Sequence, residues 1–207
     1  MSRVESLAIG ALMLSWLGLS LALLSARMHR SVTVAEKGPT PAAATRDLQS
    51  WGGLALQGIG FALVWGTHRP VGAAWWPGIS PIAQLVLLLS AGLLALASSA
   101  FAIAAVRELG KQWSLTARLL ASHELVTSGP FGWVRHPIYS ALLGLLLATG
   151  VCLSTIAATV AGTVVYLLGT HWRAAREEKL LLVRFGETYL AYARQVPRLI
   201  PGIKRRA

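Results

Sequence analysis

The sequence predicts an all-α integral membrane protein with five transmembrane helices, the last two forming a helical hairpin, and a cytoplasmic amphipathic C-terminal helix. Only 13% of its 207 residues are charged, whereas 55% are hydrophobic. The mean hydropathy is +0.58, and long segments contain no charge. An ordinary soluble domain has about 25% charged residues, so a water-soluble globule is disfavoured. The same apolar content excludes a disordered chain.

Three apolar segments occupy residues 1–106. Residues 4–26 are long enough to cross about 30 Å of hydrocarbon, and they exceed the apolar core of a typical signal peptide. The segment 51–66 is shorter than the first and rich in glycine, which favours close helix packing in lipid. Residues 82–106 contain no charge. We therefore predict three N-terminal spans.

The last apolar segment, residues 138–170, contains 33 uncharged residues. One helix of that length would extend roughly 50 Å at 1.5 Å per residue, which is too long for a bilayer. Two short helices that turn near Leu153, Ser154 and Thr155 fit better. This hairpin brings the number of predicted spans to five.

The basic residues test the hairpin and give the orientation. With five spans and the N-terminus outside, the inner segments contain four basic residues in 27–46, four in 107–135 and nine in 173–206, against Arg3 and Arg69 outside. A single final helix would move the nine C-terminal charges outside, against the positive-inside rule. The net charge of +11 is thus explained by a membrane surface, and the predicted partner is the lipid bilayer rather than nucleic acid.

Two polar segments lie between the predicted inner ends of the spans. Residues 107–135 are predicted to be a loop, with a turn at Ser128-Gly129-Pro130. Residues 173–195 are predicted to form the cytoplasmic amphipathic helix, because apolar residues recur every three or four positions up to Pro197. The whole chain, 1–207, is predicted to be one membrane domain whose chemistry lies in residues 107–207.

The segment Arg135-His136-Pro137-Ile138-Tyr139 is the first candidate site. Proline favours the first turn of a helix, so Pro137 is expected to begin the fourth span. The N-terminal end of that helix would attract an anionic group. His136 and Tyr139 are three residues apart and share a face. The alternative is an interfacial belt of polar and aromatic anchors.

The second candidate site comprises Arg173, Glu177 and Glu178, directly after the last span. Arg173 and Glu177 are four residues apart, so the alternative is an ion pair on a helix surface. Two adjacent acids are unexpected in so basic a segment. No metal site is predicted, because the histidines lack carboxylates or cysteines at ligand spacing, and the lone Cys152 excludes a disulfide.

Taken together, these motifs resemble the isoprenylcysteine carboxyl methyltransferases, which belong with the phospholipid methyltransferases among integral membrane enzymes that use S-adenosyl-L-methionine. The resemblance covers roughly residues 109–203. The elements that resemble the family are Leu125-Val126-Thr127-Ser128-Gly129-Pro130-Phe131, Arg135-His136-Pro137-Ile138-Tyr139, Glu177-Glu178, and Phe185-Gly186 with Tyr189 and Tyr192.

The resemblance implies transfer of a methyl group from S-adenosyl-L-methionine to a lipid-embedded carboxylate, such as that of a prenylated cysteine. It implies that Arg173 faces the acceptor carboxylate and that Glu177 takes part in catalysis. The residues implied to surround the cofactor are His123, Leu125, Val126, Gly129, Phe131, Arg135, His136, Pro137, Ile138, Tyr139, Glu177 and Glu178. Phe131 stands where the family usually has tyrosine, and Arg118 where many relatives have glutamine.

Three alternatives remain at this point. The first is a methyltransferase of the same fold that acts on a phospholipid amine or a small thiol. The second is a sterol-type membrane reductase that uses NADPH, which has a similar Arg-His-Pro segment. The third is a small membrane scaffold without enzymatic activity. The paired glutamates favour the methyl donor over NADPH.

Overall fold

The computed structural model describes residues 3–37, 50–70, 73–110 and 124–202, and all regular structure in these ranges is helical. The predicted all-α class is therefore confirmed. Six α-helices and one short 3-10 turn, Gly129–Gly132, make up the described part of the chain. The α-helices are α1 (Arg3–Lys37), α2 (Ser50–Gly66), α3 (Pro81–Leu109), α4 (Pro137–Leu153), α5 (Ile156–Phe185) and α6 (Glu187–Gln195).

Two of these helices are long and apolar enough to cross a membrane. They are α1, over Arg3–Ala26, and α3, over its whole length. Helices α2 and α4 are apolar but shorter. The apolar segments predicted from the sequence thus correspond to helices α1 to α5, while the crossing of the membrane by all five stays a prediction.

The break between α4 and α5 lies where the hairpin prediction puts it. Helix α4 ends at Leu153, and α5 begins at Ile156 after Thr155, whose hydroxyl accepts a hydrogen bond from the Ala158 amide. Such a cap satisfies one of the free amides of a helix start. The Arg69 amide donates to the Leu153 carbonyl at 2.9 Å and so closes the end of α4.

The predicted amphipathic helix over residues 173–195 is wrong in its boundaries. Helix α5 continues without interruption to Phe185, and Gly186, with a φ of 50°, separates it from α6. That left-handed conformation is one that glycine adopts readily. Apolar residues recur with the same spacing over residues 173–185, and this spacing alone did not show that these residues belong to the last apolar helix.

Helices α2 and α5 are antiparallel and meet through pairs of glycines. A Cβ atom on Gly60 would lie 2.6 Å from the Gly162 carbonyl oxygen, and one on Gly169 would lie 2.6 Å from that of Gly53. The absence of side chains lets the two backbones touch, as small residues do in membrane helix pairs. This approach brings the first half of α2 against the middle third of α5.

The main apolar core lies between α1, α3 and α4. It includes Leu12, Ala95 and Leu145, each of which is completely buried. Trp16 extends the packing to α2, because its ring meets that of Phe61 edge-on with centroids 5.3 Å apart. The N-terminal end of α4 and the C-terminal third of α5 meet, because His136 lies 3.1 Å from Glu178.

Candidate active site

The N-terminal end of α4 is held by the chain that follows α6. Pro137 is the first residue of α4, as predicted, and His136 is its N-cap. The backbone amides of Arg135 and His136 donate to the carbonyls of Pro197 at 2.9 Å and Arg198 at 3.1 Å. The returning segment therefore fixes the direction in which α4 starts and the position of His136.

His136 and Tyr139 lie on one face of this helix start, as their spacing predicts. Their rings are stacked, with centroids 5.5 Å apart and planes inclined by 13°. Both side chains are buried. The Tyr166 hydroxyl of α5 donates to the Tyr139 carbonyl at 2.8 Å, so α5 also holds the first turn of α4. An interfacial belt of exposed anchors does not describe this arrangement.

The two adjacent glutamates of α5 flank the imidazole of His136. Glu177 Oε2 lies 3.3 Å from Nδ1, and Glu178 Oε1 lies 3.1 Å from Nε2. Glu177 also accepts a hydrogen bond from the Tyr139 hydroxyl. On the other side, Glu178 pairs with Arg198 and lies 3.3 Å from Arg135 Nη1. The paired acids of α5 thus connect this helix to the start of α4 and to the segment that follows α6.

Arg173 is buried, so its i,i+4 pairing with Glu177 does not lie on an exposed helix surface. Its side chain reaches α2, where Nη1 donates to Gln57 Oε1 at 2.8 Å. The guanidinium carbon lies 5.1 Å from the centroid of the Tyr139 ring, within the range of a cation–π contact. Nη2 lies 4.0 Å from Glu177 Oε1, which is beyond hydrogen-bonding distance.

These contacts shift the pKa values of the central groups. Burial by itself would lower the pKa of His136, but its hydrogen bonds to Glu177 and Glu178, with their negative charges, outweigh burial and raise it. Burial would raise the pKa of Glu178, but hydrogen bonds from His136 and Arg198 and the nearby cations lower it to about 2. The cluster therefore favours an imidazolium between two carboxylates.

The other residues implied by the resemblance lie around this cluster rather than in it. Leu125 and Val126 are half-buried in the coil before the 3-10 turn. Gly129 packs beside Glu108 at the end of α3. Phe131 is buried, and its carbonyl accepts from the Tyr192 hydroxyl at 2.7 Å. Ile138 is half-buried in the first turn of α4.

Two of the positions singled out from the sequence, Arg118 and His123, lie outside the described residues. Among the residues that are described, no group of three or more histidine, cysteine, aspartate or glutamate side chains is arranged to hold a metal ion.

Two members of the cluster are absent from the sequence-based predictions. Gln57 is the one strongly polar side chain in the glycine-rich segment 51–66, and an isolated polar group in an apolar helix is a recognised sign of function. Arg198 gave no comparable sign, because it is one of many arginines near the C-terminal end. Its partner Glu178 is 20 residues away and is reached only through the turn at Gly186.

Comparison with known families bears on the same cluster. Residues 81–183 match the family described as isoprenylcysteine carboxyl methyltransferase. The chain is similar to that family through this segment. The match includes α3, α4 and most of α5, and hence His136, Tyr139, Arg173, Glu177 and Glu178.

Individual relatives have the matching name. The chain is 42% identical over 88 residues to protein-S-isoprenylcysteine O-methyltransferase of Mus musculus, an alignment that covers 40% of this chain and 29% of the relative. It is 35% identical over 81 residues to the protein of that name from Schizosaccharomyces pombe, covering 39% and 34%. The chain thus spans about a third of the length of these relatives.

Among solved structures, the chain is similar to that of a eukaryotic intramembrane Ras methyltransferase, an isoprenylcysteine carboxyl methyltransferase. The two share 15% identity and a TM-score of 0.49, with 99% of each chain covered. The family match and the two long apolar helices together support a membrane protein.

Proposed function

We propose that the chain is an integral membrane methyltransferase that uses S-adenosyl-L-methionine and esterifies the carboxylate of a prenylated cysteine or a similar isoprenoid-linked acid. The observation that supports this most is the position of the cluster. Its imidazole, its two carboxylates and its buried arginine all lie in residues 81–183, the segment that matches the family. The relatives are named for the same transfer to isoprenylcysteine.

Glu177 is suited to the cationic and hydroxylated parts of the methyl donor. Its side chain is 25% exposed, so it is accessible while His136 and Tyr139 fix its position. A carboxylate oriented in this way can accept hydrogen bonds from an ammonium group or a ribose diol. When bound, the donor supplies a methyl group whose bond to sulfur breaks as a bond to a carboxylate oxygen forms, leaving a thioether and a methyl ester.

Arg173 is suited to the acceptor. A guanidinium offers paired N–H donors in the geometry of a carboxylate. The acceptor carboxylate is already ionised at neutral pH, so the reaction requires no general base. The contribution of the protein is then to bring two bound groups into line, which is an effective means of catalysis.

The surface of α5 supports an acceptor that arrives from lipid. Large apolar side chains are exposed along one side of this helix at intervals of four residues. They are Val160, Val164, Leu168 and Trp172. This stripe ends one residue before Arg173 along the helix, so an isoprenoid chain lying on it would end at the level of the guanidinium. In the five-span topology this end of the bundle is cytoplasmic, where a water-soluble donor is available.

His136 argues against an amine acceptor. Methylation of an ammonium group requires a base that removes a proton. His136 is the imidazole of the described cluster. Both of its ring nitrogens lie against carboxylates and its pKa is raised, which favours the protonated form and so disfavours its use as a base. A carboxylate acceptor makes no such demand.

A methyl-transfer assay tests the proposal. The purified protein, in detergent with lipid, is given S-adenosyl-L-methionine with a labelled methyl group and one of three acceptors: S-farnesylcysteine with a blocked amine, phosphatidylethanolamine or a small thiol. We expect base-labile methyl ester on S-farnesylcysteine alone. Labelled amine or thioether without ester would contradict the carboxylate acceptor, and no product with any acceptor would contradict this methyltransferase activity.

A further inference from the structure

Gln57 reaches the candidate site from outside the family segment. It lies on α2, and its side chain is 4% exposed. Its amide is held on both sides, because Nε2 donates to Thr170 Oγ1 at 2.8 Å while Oε1 accepts from Arg173 Nη1 at 2.8 Å. A buried amide with both ends bonded has a fixed orientation. Helix α2 and Thr170 therefore fix the position of Gln57 Oε1, the oxygen that accepts the hydrogen bond from Arg173.

The same face of α2 makes room for the arginine. Gly53 is one helical turn before Gln57, and a Cβ atom there would lie 2.5 Å from Arg173 Cγ. A side chain larger than hydrogen at this position would displace the stem of Arg173. Gly53 and Gln57 together form a slot in which the arginine extends from α5.

The geometry of the guanidinium shows what the slot achieves. Arg173 Nη2 stops 4.0 Å from Glu177 Oε1, although the two residues are one helical turn apart and of opposite charge. A direct hydrogen bond would require a separation of about 2.7–3.2 Å. The bond to Gln57 and the contact with the Tyr139 ring hold the guanidinium at this distance from the carboxylate.

We propose that Gln57 is a positioning residue, which holds the Arg173 guanidinium in the pose that receives the acceptor carboxylate and prevents its closure onto Glu177. This inference rests on the proposed function. It also changes the predicted division of the chain, because residues 1–106 then contribute a side chain to the site as well as spans.

The test compares two ligands that differ only in charge. The affinities of S-farnesylcysteine with a blocked amine and of its neutral amide are measured by titration with wild type and with Gln57→Met, which keeps the length but removes the hydrogen-bond acceptor. We expect the preference for the carboxylate to fall at least about tenfold, the lower end of the range for one charge-assisted hydrogen bond, while the affinity for the amide stays unchanged. A general structural defect would weaken both ligands equally.

Two further variants make the test decisive. Gln57→Glu keeps a buried partner for Arg173, but its carboxylate compensates the charge of the guanidinium. The preference for the acceptor carboxylate should therefore fall at least as far in this variant, which provides the test even if Gln57→Met does not fold. Thr149→Val removes the acceptor of the Trp16 indole hydrogen bond, at 3.2 Å and roughly three turns along α4 from the site, and should keep the wild-type preference.

The outcomes separate this inference from the proposed function. A wild-type preference for the carboxylate in both Gln57 variants would overturn the positioning role, whatever the activity. A parallel loss of both ligands in the two variants would also overturn it. If wild type neither prefers the carboxylate nor methylates it, the proposed function itself is wrong.

Discussion

Glu178 binds the Nε2 edge of the His136 imidazole, with 3.1 Å between the oxygen and the nitrogen. This contact ties the C-terminal third of α5 to the residue that precedes α4. Arg198 pairs with the same carboxylate, while its own backbone carbonyl accepts from the His136 amide. The helix start, the paired acids and the returning C-terminal segment are therefore one connected unit.

This unit predicts a stability that depends on pH. The pKa of His136 is raised above its ordinary 6.5, so the folded state binds the proton more tightly than the unfolded state. Its contribution is complete below about pH 6.5 and is lost as the pH rises through the raised value. We expect the melting temperature in detergent to fall over that window.

The variant His136→Gln should remove this part of the pH dependence, because no group titrates at that position. His68→Gln, at an exposed position, is the matched control and should follow wild type. A wild-type melting temperature that is flat or rising from pH 6.5 upward would contradict an imidazolium held by two carboxylates.

A second prediction concerns Arg198. We expect Arg198→Gln to destabilise the protein by about 1 kcal/mol, at the upper end for partly exposed pairs, because the bond to Glu178 is only partly shielded from solvent. The matched change at the exposed Arg194 should have little effect. Thermal unfolding of both variants gives the comparison, and equal melting temperatures would mean that the returning segment does not depend on this pair.

The helices were largely predictable, because their signals are local. The break at Leu153–Thr155 followed from length and charge, and the start of α4 at Pro137 followed from the chemistry of proline. The length of α5 could not be predicted in this way, because the helix continues past the last uncharged residue to Phe185 with the same apolar spacing. Only the conformation of Gly186 separates α5 from α6.

The site was predictable where its residues are close in sequence or belong to the family motifs. His136 with Tyr139 and Glu177 with Glu178 are such pairs. Gln57 and Arg198 were missed because their partners are 116 and 20 residues away. Sequence spacing cannot report a contact that depends on the glycine pairs of α2 and α5 or on the turn at Gly186.

A third prediction separates the duties of the charged residues. Arg173→Gln should leave the affinity for S-adenosylhomocysteine unchanged. It should weaken the binding of amine-blocked S-farnesylcysteine but not of its neutral amide, because the guanidinium faces the acceptor carboxylate. Arg184→Gln, an exposed position on the same helix, serves as control. If Arg173→Gln binds the carboxylate as wild type does, the acceptor site lies elsewhere.

A fourth prediction concerns topology. The asymmetry of the basic residues predicts that a reporter fused after Ala207 lies in the cytoplasm and that one inserted near Gly72 lies on the opposite side. Activity of paired phosphatase and fluorescent reporters distinguishes the two locations. The same location for both would contradict five spans.

The most direct test of the central claim is titration of the purified protein with S-adenosylhomocysteine, comparing wild type with Glu177→Gln. The substitution keeps the shape of the side chain but removes its charge, so affinity should fall about tenfold to a hundredfold, the value of a lost charge-assisted hydrogen bond. Glu187→Gln, at an exposed position in the first turn of α6, should bind as wild type does. If wild type and Glu177→Gln bind S-adenosylhomocysteine with equal affinity, the role of Glu177 is contradicted. If wild type binds NADPH in place of S-adenosylhomocysteine, the methyltransferase is contradicted.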